Sequence, residues 1–287
     1  MEIRHSSAPL GAEVLNLDLS QPVSDDTFRA IENLFHERGV IVFRGQQLTE
    51  AQHIAFSRRL GKLEIHVATD YLRPGYPEIL VVSNVVENGR AIGLADAGQY
   101  WHSDLSYIAS PSRCSLLYAL ELPSENGRIL GETLFASASY AYETLPAELQ
   151  SQLQGLRAIH RYADRYRKQQ AAGGRGAISE EQLAKVPDVL HPVIRPHPVT
   201  GRKTLFVNEG FTVAIDGLPR DQSDALLAQL FAHITRPEFL YTHHWQPGDL
   251  LMWDNSLTQH RAVSNYAPPL RRRLHRTTVA GLPSSAA

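Results

Sequence analysis

Short runs of β-branched and other apolar residues, separated by glycine- and proline-containing turns, limit the fold of this chain most strongly. The clearest runs cover residues 40–43, 79–84, 115–120 and 250–253. Runs of this length between turn residues are typical of sheets in sandwiches and barrels. Because only a few helical segments accompany them, the pattern predicts an α+β protein with a double-stranded β-helix (jelly-roll) core and flanking helices.

Helical periodicity is restricted to a few stretches. In residues 27–38, one face of a helix would carry Phe28, Ile31, Leu34 and Phe35. A serine at position 24 is placed to cap this helix and a glycine at position 39 to end it. Further helices are predicted for residues 49–60, 138–154 and 221–234.

The length and composition suit one domain that spans residues 1–287. With 287 residues and 43% hydrophobic content, the chain is large enough to bury a substantial core. Residues 161–185 are polar, contain the glycine-rich run 173–176 and lack apolar periodicity at their centre. We therefore expect a mobile loop at 161–185 within the domain.

Charge and cysteine content exclude several classes of partner. A net charge of −2 gives no overall attraction to nucleic acid or to an anionic membrane. The single cysteine, Cys114, excludes an intrachain disulfide and suits a reducing compartment. The first residues lack the apolar stretch of a signal peptide, and no run approaches the roughly 18 apolar residues of a membrane span. We expect a cytoplasmic protein without nucleic-acid or membrane partners.

Two histidines and an aspartate are spaced as ligands of a metal site. His102 and Asp104 are two residues apart, and side chains at this spacing point the same way on a β-strand. His260, far downstream, would supply a third ligand from another strand. Two histidines and one carboxylate with open coordination positions are typical of non-haem Fe(II) oxygenases. A His-X-Asp pair alone is weak evidence, and the arginine-rich segment 271–276 strengthens it.

Six motifs resemble those of the taurine dioxygenase and 2,4-dichlorophenoxyacetate dioxygenase family of Fe(II)- and 2-oxoglutarate-dependent oxygenases. They are residues 100–104 (YWHSD), 131–136 (GETLFA), 197–202 (HPVTGR), 206–211 (FVNEGF), 253–260 (WDNSLTQH) and 274–276 (LHR). The resemblance extends from about Gly11 to Gly281, almost the whole chain. In combination, these motifs are specific for the family.

The resemblance implies a set of cofactors and ligands. His102, Asp104 and His260 would bind Fe(II), and O2 would be the oxidant. The cosubstrate would be 2-oxoglutarate, which chelates the iron through its keto acid end. Its far carboxylate would meet Arg272 and Thr133, because a guanidinium can hold a carboxylate through two hydrogen bonds. Threonine is also a common strand residue, so a structural role for Thr133 stays open.

The segment 271–276 gives a separate argument for the substrate. On a strand, Arg272 and Arg276 would share one face, and Arg271 and Arg273 the other. Two arginines would then face one cavity, with Arg272 for the cosubstrate and Arg276 for an acidic group of the substrate. Because a buried guanidinium without an anion is costly, we predict a small anionic substrate. Arg271 and Arg273 are predicted to be solvated.

Other pocket residues follow from the resemblance alone. His66 aligns with a histidine that contacts the sulfonate in taurine enzymes, and Phe211 aligns with an aromatic residue of the same pocket. Each is also compatible with a structural role. Thr69 and Gly98 replace a tyrosine and an asparagine of taurine enzymes. Because the loss of polar side chains from a pocket wall changes specificity, these departures predict a roomier and less polar pocket.

The sequence therefore predicts an Fe(II)- and 2-oxoglutarate-dependent dioxygenase that hydroxylates a small anionic substrate and releases succinate and CO2. Its substrate would be a taurine-like sulfonate, an alkyl sulfonate, a sulfate ester or an aryloxyacid. One alternative is an oxygenase of the same fold that acts on a carboxylate or amino-acid-like intermediate in natural-product biosynthesis. A second is a non-catalytic jelly-roll binding protein, which the intact triad argues against. A homo-oligomer is the expected assembly.

Overall fold

The computed structural model describes residues 1–95, 97–171 and 179–281. The α-helices are α1 (Asp25–Arg38), α2 (Glu50–Arg58), α3 (Ala138–Glu143), α4 (Ala147–Leu153), α5 (Tyr162–Ala171), α6 (Glu180–Ala184) and α7 (Arg220–Ile234). Short 3-10 helices cover Thr69–Tyr71 and Pro237–Phe239. None of the helices in these ranges has both the length and the apolar character needed to pass through a lipid bilayer.

The strands are numbered in chain order. The first ten are β1 (Glu2–His5), β2 (Ala12–Leu15), β3 (Val40–Phe43), β4 (Leu72–Arg73), β5 (Tyr76–Ser83), β6 (Val86–Glu87), β7 (Arg90–Ala91), β8 (Cys114–Glu121), β9 (Ser124–Glu125) and β10 (Arg128–Ile129). The others are β11 (Thr133–Ser137), β12 (Arg157–His160), β13 (Val189–Pro192), β14 (Ile194–Pro196), β15 (Lys203–Leu205), β16 (Thr212–Ile215), β17 (Leu240–His243), β18 (Leu250–Asp254), β19 (Thr258–Ala262) and β20 (Arg273–Val279).

One large sheet and several small ones organise the described chain. The large sheet has the order β1-β2-β3-β18-β8-β20-β5-β4 and is antiparallel except between β2 and β3. A three-stranded sheet, β17-β11-β19, carries two of the motifs singled out in the sequence. A second three-stranded sheet has the order β13-β12-β16, and the remaining strands form hairpins.

The central strands of the large sheet bury both faces. In β18, Leu250 and Met252 belong to a core formed with α1 and α2. Their neighbours Leu251 and Trp253 belong to a second core, which includes Phe135 of β11. Because both faces are covered, the strand is apolar at each position from Leu250 to Trp253 rather than alternating. The result is three layers: helices α1 and α2, the large sheet, and the sheet that contains β11.

The predicted helix boundaries hold where capping residues define them. The Ser24 hydroxyl accepts the backbone N–H of Thr27 at 3.2 Å at the start of α1, and Gly39 ends the helix with a φ of 67°. Thr49 and Gln52 cap α2 reciprocally. The predicted helix 138–154 is instead two helices, α3 and α4. Pro146 separates them because proline disfavours a helical conformation of the preceding residue.

The segment 161–185 contains helices α5 and α6 in its described part, where a loop is predicted. Residues 172–178 of this segment lie outside the described residues. Aromatic contacts, rather than an apolar stripe, fix α5: the rings of Tyr162 and Tyr107 are 4.6 Å apart, and the Arg165 guanidinium lies 3.6 Å from the ring centre of Tyr100. Such contacts leave no apolar periodicity in the sequence, so the pattern does not predict this helix. Mobility of the segment and the single-domain organisation stay predictions.

Candidate active site

The structure brings the side chains of His102, Asp104 and His260 together, and all three are buried. His102 Nε2 lies 3.6 Å from Asp104 Oδ1, and His260 Nε2 lies 3.9 Å from Asp104 Oδ2. One ion with bonds of ~2.0–2.2 Å to nitrogen and carboxylate oxygen can bridge both separations. The three side chains therefore fit a metal ion both in donor type and in spacing.

The backbone at this point differs from the sequence expectation. His102 and Asp104 do not lie on a strand: His102 forms an isolated bridge with His260 of β19, and Asp104 lies in a turn. The turn continues through Leu105, whose φ of 54° is left-handed. Such a conformation costs a non-glycine residue roughly 1–2 kcal/mol. The strand argument is therefore wrong here, and the bridge between the two histidines aligns them instead.

Both histidines are in the state that a metal ligand requires. The Nδ1 atom of His102 lies 2.9 Å from the carbonyl oxygen of Tyr100, so Nδ1–H donates and Nε2 keeps its lone pair. Burial, together with the neighbouring His102, lowers the pKa of His260 well below its ordinary value. Both Nε2 atoms lie near the Asp104 carboxylate, which is the arrangement that binding of one divalent cation requires.

The Asp104 carboxylate has a separate partner for each oxygen. Arg276 Nη1 donates to Oδ1 at 3.1 Å, and the Ser115 hydroxyl donates to Oδ2 at 2.7 Å. Burial alone raises the pKa of Asp104, but Arg276, His260 and His102 together lower it well below its ordinary value. The carboxylate is therefore ionised and held in one orientation.

A buried polar network fixes the backbone around Asp104. Asn255 Oδ1 accepts the Asp104 backbone N–H at 3.2 Å and the Trp253 indole N–H at 3.1 Å. The Asn255 amide donates to the hydroxyls of Ser112 at 2.9 Å and Ser115 at 3.4 Å. Ser112 in turn donates to the Asp104 carbonyl at 2.9 Å. Sequence reasoning does not find Ser112 or Ser115, because a serine in or beside an apolar strand carries no distinguishing pattern.

Replacing Ser115 by alanine should weaken metal binding without removing a ligand. We expect the affinity for Mn(II) to fall about 10- to 100-fold, as is usual when the partner of a metal ligand is lost. Ser57→Ala is the matched control, because Ser57 is also fully buried and its hydroxyl lies 2.7 Å from that of Thr277. Titration calorimetry with Mn(II) measures both variants. Equal losses of affinity would contradict a positioning role for Ser115.

Arg272 and Thr133, the predicted cosubstrate residues, both contact Trp245. The Trp245 indole N–H donates to Thr133 Oγ1 at 3.2 Å, and the Arg272 guanidinium lies 5.8 Å from the indole ring. Arg272 is only 5% exposed; Nη2 donates to the Gly131 carbonyl at 3.3 Å, whereas Nε has no hydrogen-bond partner among the residues that the structure describes. Burial lowers the pKa of Arg272. Within the described residues no carboxylate pairs with it, so this guanidinium fits the carboxylate of a bound anion.

The arginine-rich segment divides into buried and solvated members. Arg276 lies in β20 opposite Leu80 and reaches Asp104, whereas Arg272 immediately precedes the strand. The Arg271 side chain is 52% exposed, and its Nε donates to Glu121 at 2.7 Å. The burial of Arg272 and Arg276 and the exposure of Arg271 follow the sequence prediction. Arg273, predicted to be solvated, is instead half-buried, with 26% of its side chain exposed. Its strand β20 also begins later than expected.

A cavity of about 470 Å³ is lined by two of the candidate ligands, His102 and Asp104, and we call it the inner cavity. His66, Phe211 and Arg276, the predicted substrate residues, all line it. Its aromatic wall also includes Tyr100, Tyr107 and Tyr162, which sequence reasoning missed. Tyr100 belongs to the motif 100–104, but the motif alone does not assign it to the pocket, and Tyr107 and Tyr162 belong to no motif.

The two candidate pocket residues differ in their surroundings. Phe211 is buried, with its ring centre 4.6 Å from that of Tyr107 and 6.1 Å from that of His102. His66 is half-buried, and its Nδ1 accepts the backbone N–H of Ala68 at 3.0 Å. Phe211 therefore belongs to the rigid wall next to a candidate ligand, whereas His66 lies where the cavity approaches solvent.

The conformation and surroundings of Gly98 favour glycine at this position next to the candidate metal ligand His102. Its φ is 72°, a region that favours glycine, and an added Cβ would lie 3.0 Å from His102 Cε1. A side chain at this position would press on the His102 ring. The glycine thus leaves open part of the inner cavity.

A second group of metal-ligand residue types is a hydrogen-bond network. The side chains of His36, His197 and Asp254 lie close together. The backbone N–H of Thr200 donates to His197 Nδ1 at 3.0 Å, so His197 carries its proton on Nε2, which donates to Asp254 Oδ2 at 2.9 Å. Asp254 Oδ1 accepts the backbone N–H of Ser256 at 2.8 Å. Because the hydrogen bonds of His197 and Asp254 satisfy both side chains, we interpret the group as structural, with His36 Nδ1 3.9 Å from Asp254 Oδ2.

Comparisons with known sequences agree with this site. The profile of the family described as "Taurine catabolism dioxygenase TauD, TfdA family" matches residues 2–278. The alpha-ketoglutarate-dependent 2,4-dichlorophenoxyacetate dioxygenase of Cupriavidus pinatubonensis is 38% identical over 278 residues, which cover 93% of each chain. Pentalenolactone F synthase of Streptomyces arenae is 34% identical over 281 residues, 95% of this chain and 92% of that protein. The alkylsulfatase of Acinetobacter baylyi is 30% identical over 290 residues, which cover 98% of this chain and 85% of that protein.

Solved structures share the fold. A taurine dioxygenase from Burkholderia xenovorans superposes with a TM-score of 0.81 and 29% identity, covering 98% of this chain and 89% of that one. AAD-2, in complex with Mn(II) and N-oxalylglycine, superposes with a TM-score of 0.80 and 29% identity, covering 98% of this chain and 97% of that one. Enzymes of this family use Fe(II), 2-oxoglutarate and O2. The protein is a 2-oxoglutarate-dependent dioxygenase, and its chain belongs to the TauD, TfdA family.

Proposed function

We propose that this dioxygenase hydroxylates a small anionic organic substrate with an apolar body. The observation that carries the proposal is the 3.1 Å ion pair between Arg276 and Asp104 at the edge of the inner cavity. A guanidinium therefore stands directly beside the candidate metal cluster. An acidic group bound to it would bring the adjacent carbon of the substrate next to the metal.

We assign Fe(II) to His102, Asp104 and His260. Two neutral imidazoles and one carboxylate are the donor set that suits Fe(II) and leaves coordination positions open. The bound iron would supply the activation of O2, and the protein supplies binding and orientation. Ser115 and Asn255 support this assignment, because they hold the carboxylate and the backbone of Asp104.

We assign the far carboxylate of 2-oxoglutarate to Arg272 and Thr133. The Arg272 side chain is buried, and its Nε has no hydrogen-bond partner within residues 1–95, 97–171 and 179–281. A carboxylate would satisfy it through two charged hydrogen bonds, which fix orientation as well as position. Thr133 offers a hydroxyl that already accepts from Trp245 and can donate its own proton to the same carboxylate.

We assign the acidic group of the primary substrate to Arg276. Its Nε is buried and finds no hydrogen-bond partner in the described part of the chain, while Nη1 pairs with Asp104. Once a metal shares the Asp104 carboxylate, an incoming anion would complete the pairing of Arg276. His66 and Phe211 would complete the pocket for this anion.

The walls of the inner cavity favour an apolar body. Phe211, Tyr107 and Leu94 contribute aromatic and aliphatic surface, and Gly98 leaves room where a side chain would project. Each Å² of apolar surface removed from water contributes roughly 25 cal/mol. An aryloxyacid, an alkyl sulfonate or a sulfate ester is therefore a better candidate than taurine. The relatives named for 2,4-dichlorophenoxyacetate dioxygenase and alkylsulfatase activity support these classes.

A carboxylate intermediate of natural-product biosynthesis is the second candidate. The similarity to pentalenolactone F synthase, over nearly the full length of both chains, favours it. The same guanidinium would bind such a carboxylate, so the chemistry of the site does not separate the two candidates.

We further infer a double-stranded β-helix core, a cytoplasmic location and a homo-oligomer. Two sheets that share one core through Phe135 and Trp253 support the first inference. The lone cysteine, Cys114, is buried as a free thiol and supports the second. Closed symmetric assemblies are common among soluble enzymes, which supports the third. We propose neither nucleic acid nor a membrane as partner.

The proposed function is tested with a panel of anions in the presence of Fe(II), O2 and 2-oxoglutarate. The panel contains taurine, alkyl sulfonates, sulfate esters, aryloxyacids and larger apolar carboxylates, and succinate formation is measured with and without each compound. We expect anion-dependent succinate formation, with a higher kcat/KM for an apolar anion than for taurine. The highest kcat/KM for taurine would contradict the proposed apolar pocket.

A further inference from the structure

A second cavity adjoins the inner one at Arg276, and we call it the outer cavity. Its volume is about 540 Å³, and it shares Arg276, Leu105, Tyr107 and His66 with the inner cavity. The candidate ligand Asp104 lines only the inner cavity. The outer cavity is therefore a second compartment, which borders the inner cavity at these four shared side chains.

The strand register gives the direction of the outer cavity. Arg276 of β20 pairs with Leu80 of β5, and both line this cavity. Thr278 and Glu78 lie two residues further along these antiparallel strands, on the same faces, and line it as well. Two strand residues span roughly 7 Å. The outer cavity thus leads from the Arg276 guanidinium away from the metal cluster.

Aliphatic side chains dominate the wall of the outer cavity. They are Ile65, Val67, Leu80, Leu105, Ile108 and Val186. Ile65 and Val67 remain 57% and 59% exposed, although residues of this type are usually buried. Apolar surface left open directly beside an active site is suited to contact with an apolar part of a ligand.

Leu105 occupies the boundary between the two cavities. It follows Asp104 directly and has a φ of 54°, which leucine rarely adopts. Backbone strain of this kind persists where the surroundings impose it, and it is frequent at ligand sites. A substrate that reaches from the metal cluster into the outer cavity would pass Leu105.

The outer cavity is positively charged at one side and negatively charged at the other. Arg276 lies at its inner side, and Glu64 and Glu78 also line it. Glu78 is paired with Arg58, whereas no lysine or arginine of the described chain pairs with Glu64. A second anionic group on a ligand bound at Arg276 would therefore meet a carboxylate, and the repulsion disfavours it.

We propose that the outer cavity binds the tail of the substrate, and that the preferred substrates are monoanions with an extended, uncharged, apolar tail. This inference rests on the proposed role of Arg276 as the binding residue for the acidic group. The acidic group lies at the boundary, the carbon to be hydroxylated faces the metal, and the tail extends past Leu105 to Ile65 and Val67.

A series of linear sulfonates tests the inference through binding alone. Ethanesulfonate, butanesulfonate, hexanesulfonate and octanesulfonate are titrated into protein loaded with Mn(II) and 2-oxoglutarate, and calorimetry gives each Kd. Because each buried methylene adds hydrophobic stabilisation, we expect the Kd to fall about fourfold per methylene until the tail fills the outer cavity. A Kd that is independent of chain length would overturn the inference.

Two variants test whether the gain in affinity with chain length arises in the outer cavity. Val67→Glu places a carboxylate in the outer cavity, and we expect it to remove the gain in affinity with chain length. Val199→Glu is the matched control, because Val199 is 53% exposed and lines neither cavity. It should retain the wild-type dependence on length. The same dependence in both variants would exclude the outer cavity as the binding site of the tail.

The effect of a charged tail on binding provides an independent test. A hexanesulfonate with a terminal carboxylate should bind the wild-type protein about tenfold or more weakly than hexanesulfonate itself. Glu64→Gln should narrow this difference, and equal discrimination in wild type and variant would refute the role of Glu64.

Succinate formation with Fe(II) is followed in parallel. If affinity rises with length but no sulfonate yields succinate, the outer cavity stands and the proposed hydroxylation of these anions fails. If short sulfonates are hydroxylated and length has no effect, the outer cavity fails and the proposed function stands.

Discussion

Asp104→Ala is expected to reduce turnover to background and to weaken Fe(II) binding. The substitution removes the only anionic ligand of the cluster and leaves two neutral imidazoles. It also leaves the Arg276 guanidinium without its carboxylate partner. Breaking a buried ion pair by removing one side costs about 3–5 kcal/mol of stability. Turnover is measured as succinate formation, and metal affinity by titration with Mn(II).

A second variant separates loss of the ligand from loss of folding. Asp104→Asn keeps the shape of the side chain and can still accept the Ser115 hydroxyl, so its circular dichroism spectrum should match that of the wild type. Its affinity for Mn(II) should nevertheless fall with that of Asp104→Ala. Near wild-type turnover in either variant would remove Asp104 from the metal site.

The two buried arginines are expected to affect different ligands. Arg272→Ala should raise the KM for 2-oxoglutarate much more than that for the substrate, and Arg276→Ala should do the reverse. Loss of one partner from a buried charged hydrogen bond costs about 2–5 kcal/mol, or roughly 30- to 5,000-fold in affinity. Steady-state kinetics with each ligand varied in turn, using the best anion of the panel, gives both constants for each variant.

Arg271→Ala is the matched control for both arginines. It makes the same chemical change in the same segment, but Arg271 is half exposed and pairs with Glu121 at the surface. Exposed ion pairs contribute about 0–1 kcal/mol, so both KM values should stay close to those of the wild type. If Arg272→Ala and Arg276→Ala both raised only the KM for 2-oxoglutarate, the assignment of Arg276 to the substrate would be wrong.

Local patterns explain why parts of the fold are predictable from the sequence. The ends of α1 follow from Ser24 and Gly39, because capping is decided by neighbouring residues. The run 250–253 is apolar throughout because β18 is buried on both faces. In contrast, the pairing of β18 with β3 and β8 joins distant parts of the chain. No local pattern specifies such partners.

The residues of the site also fall into those that the sequence predicts and those that it does not. His102, Asp104 and His260 are recognisable as a set because metal ligands are few in type and belong to motifs. The same residue types occur in His36, His197 and Asp254, and only the hydrogen bonds of His197 identify that group as structural. Ser115, Tyr107 and Tyr162 belong to no motif and contribute through their position in the fold. Their roles cannot be predicted from the sequence without knowledge of the fold.

A crystal structure of the protein with Mn(II) and N-oxalylglycine tests the central claim most directly. We expect one Mn(II) ion bound by His102 Nε2, a carboxylate oxygen of Asp104 and His260 Nε2. The far carboxylate of N-oxalylglycine should contact Arg272 and Thr133, and Arg276 should face the remaining space of the inner cavity. An ion bound instead by His36, His197 and Asp254, with no metal between His102 and His260, would contradict the account.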